Sequence, residues 1–306
     1  MNGLVIVDKP IGYTSFDMVA KMRKEYNQKK VGHIGTLDPM ASGVLPILLG
    51  EATKLSDYLM LHDKEYVANL KLGISTDTGD SEGKIIEEKE IPNLNNIDLN
   101  KLLQDKFIGK QMQVPPMYSA IKINGKKMYE LAREGKKIDI PPREIEILKI
   151  EIIELNIIEN EITFKVECSK GTYIRVLCED IAKELNTCGY MKALRRTRVG
   201  KFKIEDAGKF IDFEDILDVK KISINDILKN QKTSCKNIIN YEKMSDSEEK
   251  KENTTSLTMD GIMKKLLNGV VIHINENDGL VNLYKDDKFI GIGEIKNNEL
   301  KRKIII

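Results

Sequence analysis

The segment GHIGTLDPMASGVLP, residues 32–46, contains Asp38 as its only formal charge, in a chain in which 32% of the residues are charged. Its three glycines lack Cβ and therefore permit backbone conformations and close approaches that other residues forbid. We predict that this segment is buried or lines a cleft. Taken alone, Asp38-Pro39 favours a turn or a helix start, with Asp as the cap and Pro at the first helical position. A carboxylate in such apolar surroundings is also a candidate for chemistry.

The composition predicts a soluble globular protein. The chain has 306 residues, of which 41% are hydrophobic, enough for one large or two ordinary domains with a sizeable core. No apolar stretch approaches membrane-spanning length, and the start MNGLVIVDKP lacks the features of a signal peptide. We therefore expect a cytoplasmic protein that does not contact a membrane.

Several classes of site lack their usual sequence support. The four cysteines form no Cys-x-x-Cys pair and the three histidines lie far apart, so the sequence predicts neither a metal site nor a disulfide framework. The chain contains no phosphate-binding loop, dinucleotide fingerprint, nucleophile elbow or His-Glu-x-x-His motif. What remains is one acid, one arginine, tyrosines and basic runs, which suit cofactor-free chemistry on a nucleic acid.

The charge is balanced over the whole chain but clustered locally. The formal net charge is only +1, which does not by itself indicate a nucleic-acid-binding protein. Three segments are nevertheless rich in lysine and arginine: residues 21–30, 117–143 and 191–203. Each lies beside one of the motifs quoted below, and together they favour a phosphate-rich polymer as the partner.

The pattern of apolar residues predicts the local elements. Residues 3–8 read as a buried strand, followed by a helix that Thr14 or Ser15 can cap. Alternating apolar residues predict strands over 66–72 and 162–168, and helical spacing predicts an amphipathic helix from Ile174. Asn124-Gly125 predicts a hairpin turn, because both central residues of that turn need positive φ.

The chain is expected to have two folded parts. The main domain is predicted to cover residues 1–230, with an insertion over about residues 115–145 that carries the lysine-bearing hairpin. Residues 231–256 are polar and poor in apolar anchors, which predicts a mobile linker. Residues 257–306 contain a short apolar helix and apolar runs separated by Asn- and Asp-rich turns. This last part is predicted to be a small β module.

Six motifs, in order along the chain, resemble the signatures of the bacterial TruB family of pseudouridine synthases. They are DKPIGYTS (8–15), GHIGTLDPMASGVLPILLGEATK (32–54), KEYVANLKLGISTDTGDSEG (64–83), PPMYSAIKINGKKMYELAREG (115–135), SKGTYIRVLCEDI (169–181) and LRRTRVG (194–200). The resemblance implies an α+β fold with a mixed, mainly antiparallel central sheet and a C-terminal module similar to PUA domains. It also implies isomerisation of uridine 55 in the T loop of tRNA to pseudouridine, with no cofactor or metal.

The resemblance assigns roles to individual residues. Asp38 matches the essential aspartate, which either attacks the sugar carbon or removes a sugar proton to give a glycal. Arg175 matches the arginine that pairs with it, and a partner is expected here also because a cation at a helix start opposes the helix dipole. Tyr66 matches the tyrosine that stacks on the target base and helps to remove the C5 proton. The other implied site residues are Tyr173 and Leu194 in the uracil pocket, Lys9 and Pro10 in the active-site floor, and His33, which occupies the space left by the flipped base.

The resemblance also implies how RNA is held. The hairpin region is similar to a mobile insertion that closes over the T loop, and its basic residues are Lys122, Lys126, Lys127, Arg133 and Arg143. Arg195, Arg196 and Arg198 are expected to contact backbone phosphate. The implied partner is the T arm of tRNA, bound by a monomer without a guide RNA. Two alternatives remain open at this point: a guide-RNA-dependent pseudouridine synthase, and a tRNA-folding chaperone whose main role is binding.

Overall fold

The computed structural model describes residues 1–60, 62–119, 122–123, 126–128, 139–223, 259–285 and 287–305. The chain divides into two compact units, Met1–Phe210 and Ile211–Ile306. The division falls about twenty residues before the boundary predicted near residue 230, because Lys220–Ser223 forms a strand in the sheet of the second unit. The predicted linker over residues 231–256 lies outside the described residues.

The first unit is built around a large mixed sheet. Its strands, and those of two small hairpins, are β1 (Gly3–Lys9), β2 (Val31–His33), β3 (Ser42–Leu49), β4 (Lys64–Leu72), β5 (Ile74–Thr76), β6 (Ile85–Glu88), β7 (Gly109–Gln113), β8 (Lys122–Ile123), β9 (Lys126–Lys127), β10 (Arg143–Asn156), β11 (Glu161–Cys168), β12 (Gly189–Val199) and β13 (Phe202–Lys203). The strand β14 (Phe210–Asp212) lies at the division between the units.

Strands that are far apart in sequence lie side by side in the main sheet. The main sheet runs β1-β3-β12-β4-β11-β10-β7, with β2 also paired to β3 and β13 to β12. These pairs are antiparallel except for β3 and β12, which run parallel and meet at Arg195↔Ser42 and Arg196↔Gly43. The predicted mixed, mainly antiparallel sheet is confirmed.

Helices cover this sheet through their apolar faces. They are α1 (Ser15–Glu25), α2 (Ser56–Leu59), α3 (Leu99–Phe107) and α4 (Ile174–Glu184), together with short 3-10 helices at Gly50–Leu55, Leu94–Asn96 and Ile204–Asp206. Thr14 caps α1 through a capping box with Asp17. The apolar face of α4 joins the inner residues of β4 and β11 in one buried cluster, so the helix that begins beside Arg175 is held rigidly on the sheet.

The second unit has a small core of its own. After a 3-10 helix at Phe213–Asp215 it contains β15 (Lys220–Ser223), α5 (Met259–Leu267), β16 (Ile272–His273), β17 (Gly279–Lys285), β18 (Lys288–Lys296) and β19 (Glu299–Ile305). The sheet order is β15-β17-β18-β19-β16. Ile262, Leu266, Val281, Leu283 and Leu300 are buried between α5 and the sheet. The predicted small β module is confirmed, and its likeness to PUA domains stays a prediction.

The local elements predicted from apolar spacing are confirmed. The predicted strands correspond to β1, β4 and β11, and the two predicted helices to α1 and α4. Strands β8 and β9 pair as Lys122↔Lys127 and Ile123↔Lys126, which is the register of a two-residue hairpin. Asn124-Gly125 itself lies outside the described residues. None of the helices in the described part of the chain is long and apolar enough to span a membrane.

Candidate active site

Asp38 lies in a tight turn that several contacts fix in place. The amide of Ala41 donates to the carbonyl of Asp38 at 3.1 Å, with Pro39 at the second position of the turn, so the turn interpretation is right for the backbone. The hydroxyl of Ser15 accepts from the Leu37 amide at 2.8 Å and lies 3.2 Å from the Leu37 carbonyl, to which it donates. The turn is therefore tied to the start of α1.

Lys9, at the end of β1, is hydrogen-bonded to the same turn. Its side chain is fully buried, and its ammonium group donates to the carbonyls of Pro10 at 2.9 Å, Tyr13 at 2.7 Å and Pro39 at 3.4 Å. Burial lowers the pKa of Lys9, and the nearby Asp38 carboxylate opposes that shift. Pro10 itself is exposed. The geometry is that of a buried cation holding the Asp38 turn against the first strand.

Arg175 places its guanidinium against Asp38. The distance from Nε of Arg175 to Oδ2 of Asp38 is 3.2 Å. The other two nitrogens donate to the carbonyls of Thr78 at 3.1 Å and Tyr118 at 2.7 Å, and the side chain is only 6% exposed. The partner expected for a cation at the start of α4 is thus present. With all three nitrogens engaged, the guanidinium has one orientation relative to the carboxylate.

The Asp38 carboxylate is sheltered but reachable. Its side chain is 37% exposed, whereas that of Arg175 behind it is almost completely buried. Removal from water raises the pKa of Asp38 above its ordinary value, the neighbouring Asp80 raises it further, and Arg175 and Lys9 oppose the shift. The site therefore offers one solvent-accessible carboxylate whose basicity is increased by burial and limited by two cations.

Asp80 is a second acid beside Arg175, for which the sequence predicted no role. It lies within the quoted segment 64–83, its side chain is 7% exposed, and its Oδ2 is 3.7 Å from Nη1 of Arg175. Its Oδ1 accepts from the hydroxyl of Thr78 at 2.6 Å and the amide of Glu82 at 3.1 Å. Asp80 therefore shares the charge of Arg175 with Asp38. The Thr-Asp-Thr-Gly-Asp run, polar in a segment that begins as a strand, was the available signal.

The proposed pocket residues border the same region. Tyr66 on β4 and Leu194 on β12 are buried in one apolar cluster with Leu37 and Met40, the neighbours of Asp38. Burial raises the pKa of Tyr66, and the Asp38 charge contributes to that shift. Asp38 therefore lies between residues of the cluster that contains Tyr66, close enough for its charge to act on the phenol.

Tyr173 is fixed through its backbone at the start of α4. Its amide donates to Oε1 of Gln113 at 2.8 Å, and Nε2 of Gln113 donates back to its carbonyl at 3.1 Å. The half-buried Tyr173 ring lies within electrostatic range of Arg175 and Asp38. His33 on β2 is half-buried, and burial lowers its pKa, which favours the neutral imidazole.

Arg196 does not have the exposure that a phosphate contact requires. The prediction is corrected: its side chain is fully buried, with Nε donating to the Val44 carbonyl at 2.8 Å and Nη2 to the Gly35 carbonyl at 2.9 Å. The reason is strand geometry, because Arg196 lies two residues from the buried Leu194 and so faces the same side of β12. Arg196 therefore interacts with groups inside the protein and not with RNA at the surface.

The other proposed RNA contacts are placed differently. Arg195 is half-exposed and forms a two-pronged ion pair with Asp8, at 2.8 and 3.1 Å. Arg198 pairs with Glu167 and also donates to the Gly200 carbonyl at 3.0 Å. Arg143 is exposed at the start of β10. Lys122, Lys126 and Lys127 lie in the β8–β9 hairpin, where only the backbone is described, and Arg133 lies outside the described residues.

Two solved structures are similar to this chain in fold. One is titled a crystal structure of a Cbf5-Nop10-Gar1 complex, with a TM-score of 0.62 and 22% identity, covering 99% of this chain and 84% of that one. Another is an H/ACA RNP bound to a substrate RNA containing 2′-deoxyuridine, with a TM-score of 0.60 and 20% identity, covering 99% of this chain and 84% of that one. At these identities the likeness establishes the fold.

Similarity in sequence goes further than the fold. A protein of Francisella philomiragia named tRNA pseudouridine synthase B is 42% identical over 304 residues, covering 99% of this chain and 94% of that protein. A protein of Clostridium tetani with the same name is 42% identical over 309 residues and covers 96% of each chain.

Three family models match successive parts of the sequence. The N-terminal domain of the TruB family of pseudouridylate synthases matches residues 23–174, a tRNA pseudouridylate synthase B C-terminal domain matches 175–233, and a pseudouridine synthase II TruB C-terminal domain matches 260–305. The first match contains Asp38 and Tyr66, and the second begins at Arg175. The chain therefore belongs to the TruB family of pseudouridylate synthases.

Proposed function

We propose that this protein isomerises uridine 55 in the T loop of tRNA to pseudouridine, as a monomeric enzyme that needs neither a cofactor nor a guide RNA. The observation that carries the proposal is the pair of Asp38 and Arg175, 3.2 Å apart, at the edge of the apolar cluster that contains Tyr66 and Leu194. Family membership and the names of the relatives support the reaction and the class of substrate.

The reaction exchanges one glycosidic bond for another on the same sugar. The bond between N1 and the sugar carbon breaks, the base turns, C5 joins that carbon, and the C5 proton leaves. Asp38 serves either as the nucleophile at the sugar carbon or as the base that removes a sugar proton. Both roles need an ionised carboxylate, which the Arg175 guanidinium stabilises in its half-buried position.

The arrangement suits isomerisation better than hydrolysis. A glycoside hydrolase needs two carboxyl groups that both face the scissile bond, one of them as acid or water-activating base. Here the second carboxyl, Asp80, is buried, and its oxygens face Thr78, the Glu82 amide and Arg175. Asp80 therefore supports Arg175, and of these two acids Asp38 is the accessible one, which suits an exchange with a retained base.

The polymer has to expose the base before chemistry can occur. A nucleotide inside a folded loop is turned out of its stack at a cost of about a few kcal/mol, which stacking and phosphate contacts offset. Tyr66 and Tyr173 supply ring faces at the site. A chaperone that only binds tRNA has no need of the Asp38–Arg175 pair, so catalysis is the favoured role.

Three RNAs separate these possibilities. Unmodified tRNA, the same tRNA with cytidine at position 55, and an isolated T-arm hairpin are incubated with the protein alone, and pseudouridine is mapped by carbodiimide labelling and primer extension. We expect modification at position 55 of the first and third RNAs. Activity only after addition of a guide RNA, or modification at another position, would overturn the proposal.

Substitutions of Arg175 and Asp80, two charged neighbours of Asp38, should shift the pH dependence of the reaction rate in opposite directions. Asp38 acts as the ionised form, so the acid limb of the rate follows its pKa. Arg175→Gln removes the cation that lowers this pKa, so the limb moves to higher pH; Asp80→Asn removes an anion that raises it, so the limb moves to lower pH. Single-turnover rates from pH 4.5 to 8 measure both, and equal shifts in one direction would contradict the arrangement.

Of the arginines at positions 195, 196 and 198, Arg195 is the most exposed, so it can exchange its carboxylate partner for a phosphate. It is 42% exposed and paired with Asp8 at the surface. We expect Arg195→Gln to weaken tRNA binding and to reduce the slope of log affinity against log salt by about 0.7–0.9, the contribution of one phosphate contact. Lys149→Gln is the matched control, because Lys149 is also exposed and ion-paired, with Glu151. An equal loss of slope in both variants would refute a specific contact.

A further inference from the structure

Arg196 is a buried cation without a buried anion. Its side chain is fully buried, and no carboxylate in the described part of the chain lies within ion-pair distance of it. Its two assigned acceptors, the carbonyls of Val44 and Gly35, are neutral. A buried charge that is surrounded only by dipoles carries a large desolvation cost. The presence of such a charge beside a candidate active site suggests a functional role.

The Arg196 charge acts on other buried groups nearby. Lys64, two residues before Tyr66 on β4, is buried, and its ammonium group donates to the His62 carbonyl at 2.6 Å. Burial and then the Arg196 guanidinium lower the pKa of Lys64 to about 8. Arg196 therefore disfavours a second positive charge nearby and favours a neighbouring group that can take up negative charge.

Tyr66 is the group that faces this charge. Tyr66 and Arg196 are directly paired across β4 and β12, so their side chains project from the same face of the sheet. Burial raises the pKa of Tyr66, and the neighbouring Arg196 guanidinium opposes that shift by favouring the phenolate. The other titratable groups that act on Tyr66 are the thiol of Cys168 on β11 and the Asp38 carboxylate; both disfavour the phenolate, and Arg196 opposes them.

We propose that Arg196 is a positioning residue that fixes the Tyr66 phenol beneath the target base and lowers the free energy of negative charge on its oxygen. The inference rests on the proposed isomerisation, in which the C5 proton has to leave after C5 has joined the sugar. Only the phenolate can accept that proton, so the phenol first has to lose its own proton to solvent. A fixed cation beside the oxygen favours this ionised form more than apolar surroundings alone would. Arg196 acts through Tyr66 and does not touch the RNA.

The first test measures the phenol directly and needs no RNA. The full-length protein carries 3-fluorotyrosine at position 66, and ¹⁹F NMR follows its ionisation with pH. We expect ionisation at higher pH in Arg196→Met, by about one pH unit or more, because one desolvated positive charge is lost, and a smaller change in Arg196→Lys. The control is Arg198→Met, which removes a β12 arginine that pairs with Glu167. Unchanged ionisation in Arg196→Met would overturn the proposal.

The second test asks whether Arg196 works through Tyr66 during turnover. Single-turnover isomerisation with excess enzyme is measured for wild type, Arg196→Met, Tyr66→Phe and the double variant. We expect Arg196→Met to slow the wild type about 10–100-fold, with tRNA affinity changed less than about threefold, and to slow Tyr66→Phe by less than about threefold. Equal slowing in both backgrounds would assign Arg196 a structural role only and overturn the proposal.

A further measurement covers the case in which Arg196→Met does not fold. In the wild-type fold carrying 3-fluorotyrosine at position 66, the guanidinium NMR signals of Arg196 should shift at the pH where the phenol ionises. Ionisation that leaves those signals unmoved would overturn the proposal. The titration is independent of RNA, so a protein that shows the linkage but does not modify tRNA would refute the proposed function and leave the Arg196–Tyr66 coupling intact.

Discussion

Asp38→Asn should abolish pseudouridine formation, with a loss of at least about 10⁴-fold, the size observed when a group that acts on the reacting atoms is removed. The amide is isosteric with the carboxylate but can neither attack the sugar carbon nor accept a proton from it. Binding of tRNA should change less than about threefold, because affinity for RNA comes mainly from many separate phosphate contacts. Tritium release from C5-labelled tRNA measures the first quantity, and filter binding the second.

Asp180→Asn is the matched control for this substitution. The side chain of Asp180 is 41% exposed, close to the 37% of Asp38, and it is also ion-paired, at 2.9 Å from Lys183 on α4. Loss of one such surface pair costs about 0–1 kcal/mol of stability and should leave turnover at the wild-type level. Turnover retained in Asp38→Asn, or lost equally in both variants, would refute the assignment of Asp38.

Gly43→Ala, which adds a single methyl group, should strongly destabilise the first unit. Gly43 has φ +111°, and an added Cβ would lie 2.1 Å from the Arg196 carbonyl oxygen and 2.7 Å from its amide nitrogen. Both atoms are backbone and cannot rotate away, so β3 and β12 must separate. We expect a loss of about 4 kcal/mol or more in the free energy of unfolding, from steric overlap together with backbone strain.

Gly171→Ala separates the two causes of that loss. Gly171 also has a positive φ, of +84°, but no atom of the described residues lies within 4 Å of the position of an added Cβ. It should therefore lose only about 1–2 kcal/mol, the cost of a left-handed backbone for an L-residue. Urea unfolding followed by circular dichroism gives both values. Equal midpoints for the two variants would show that the close approach of β3 and β12 is unimportant to stability.

Local structure in this protein is readable from its sequence because apolar spacing and capping act over a few residues. The strand β1, the Thr14 cap of α1 and the helix α4 follow from such short-range patterns. The pairing of Asp38 with Arg175 was implied by resemblance and by the unfavourable place of a cation at a helix start. The distance between them, and the partners behind Arg175, depend on packing between segments far apart in the chain.

The role of Arg196 shows where reading a charge run fails. Three arginines in five residues suggest a surface for phosphate, but alternation along a strand places Arg196 on the side of the buried Leu194 and Arg195 on the other. Irregularities in the β4–β12 register, between Met191 and Ala193 and between Arg196 and Arg198, make the facing of each residue hard to derive without the fold.

The partners of the basic run explain why its charge was overestimated. Lys192 and Arg198 pair with Glu161 and Glu167 of β11, and Arg195 pairs with Asp8 of β1. Asp80 was missed for the corresponding reason: its function depends on Arg175, which is 95 positions away along the chain. A local count of charges cannot include partners that only the tertiary structure brings near.

The parallel contact between β3 and β12 has a consequence for how the enzyme comes into being. Arg196 hydrogen-bonds to Val44 across 152 positions of sequence, so this contact can form only after residue 196 has been synthesised. During synthesis the chain can form β1, α1 and β3 while β12 is still inside the ribosome. We therefore expect a nascent chain that ends before residue 189 to be inert, so that the polypeptide acquires its activity only when almost all of the first unit has emerged.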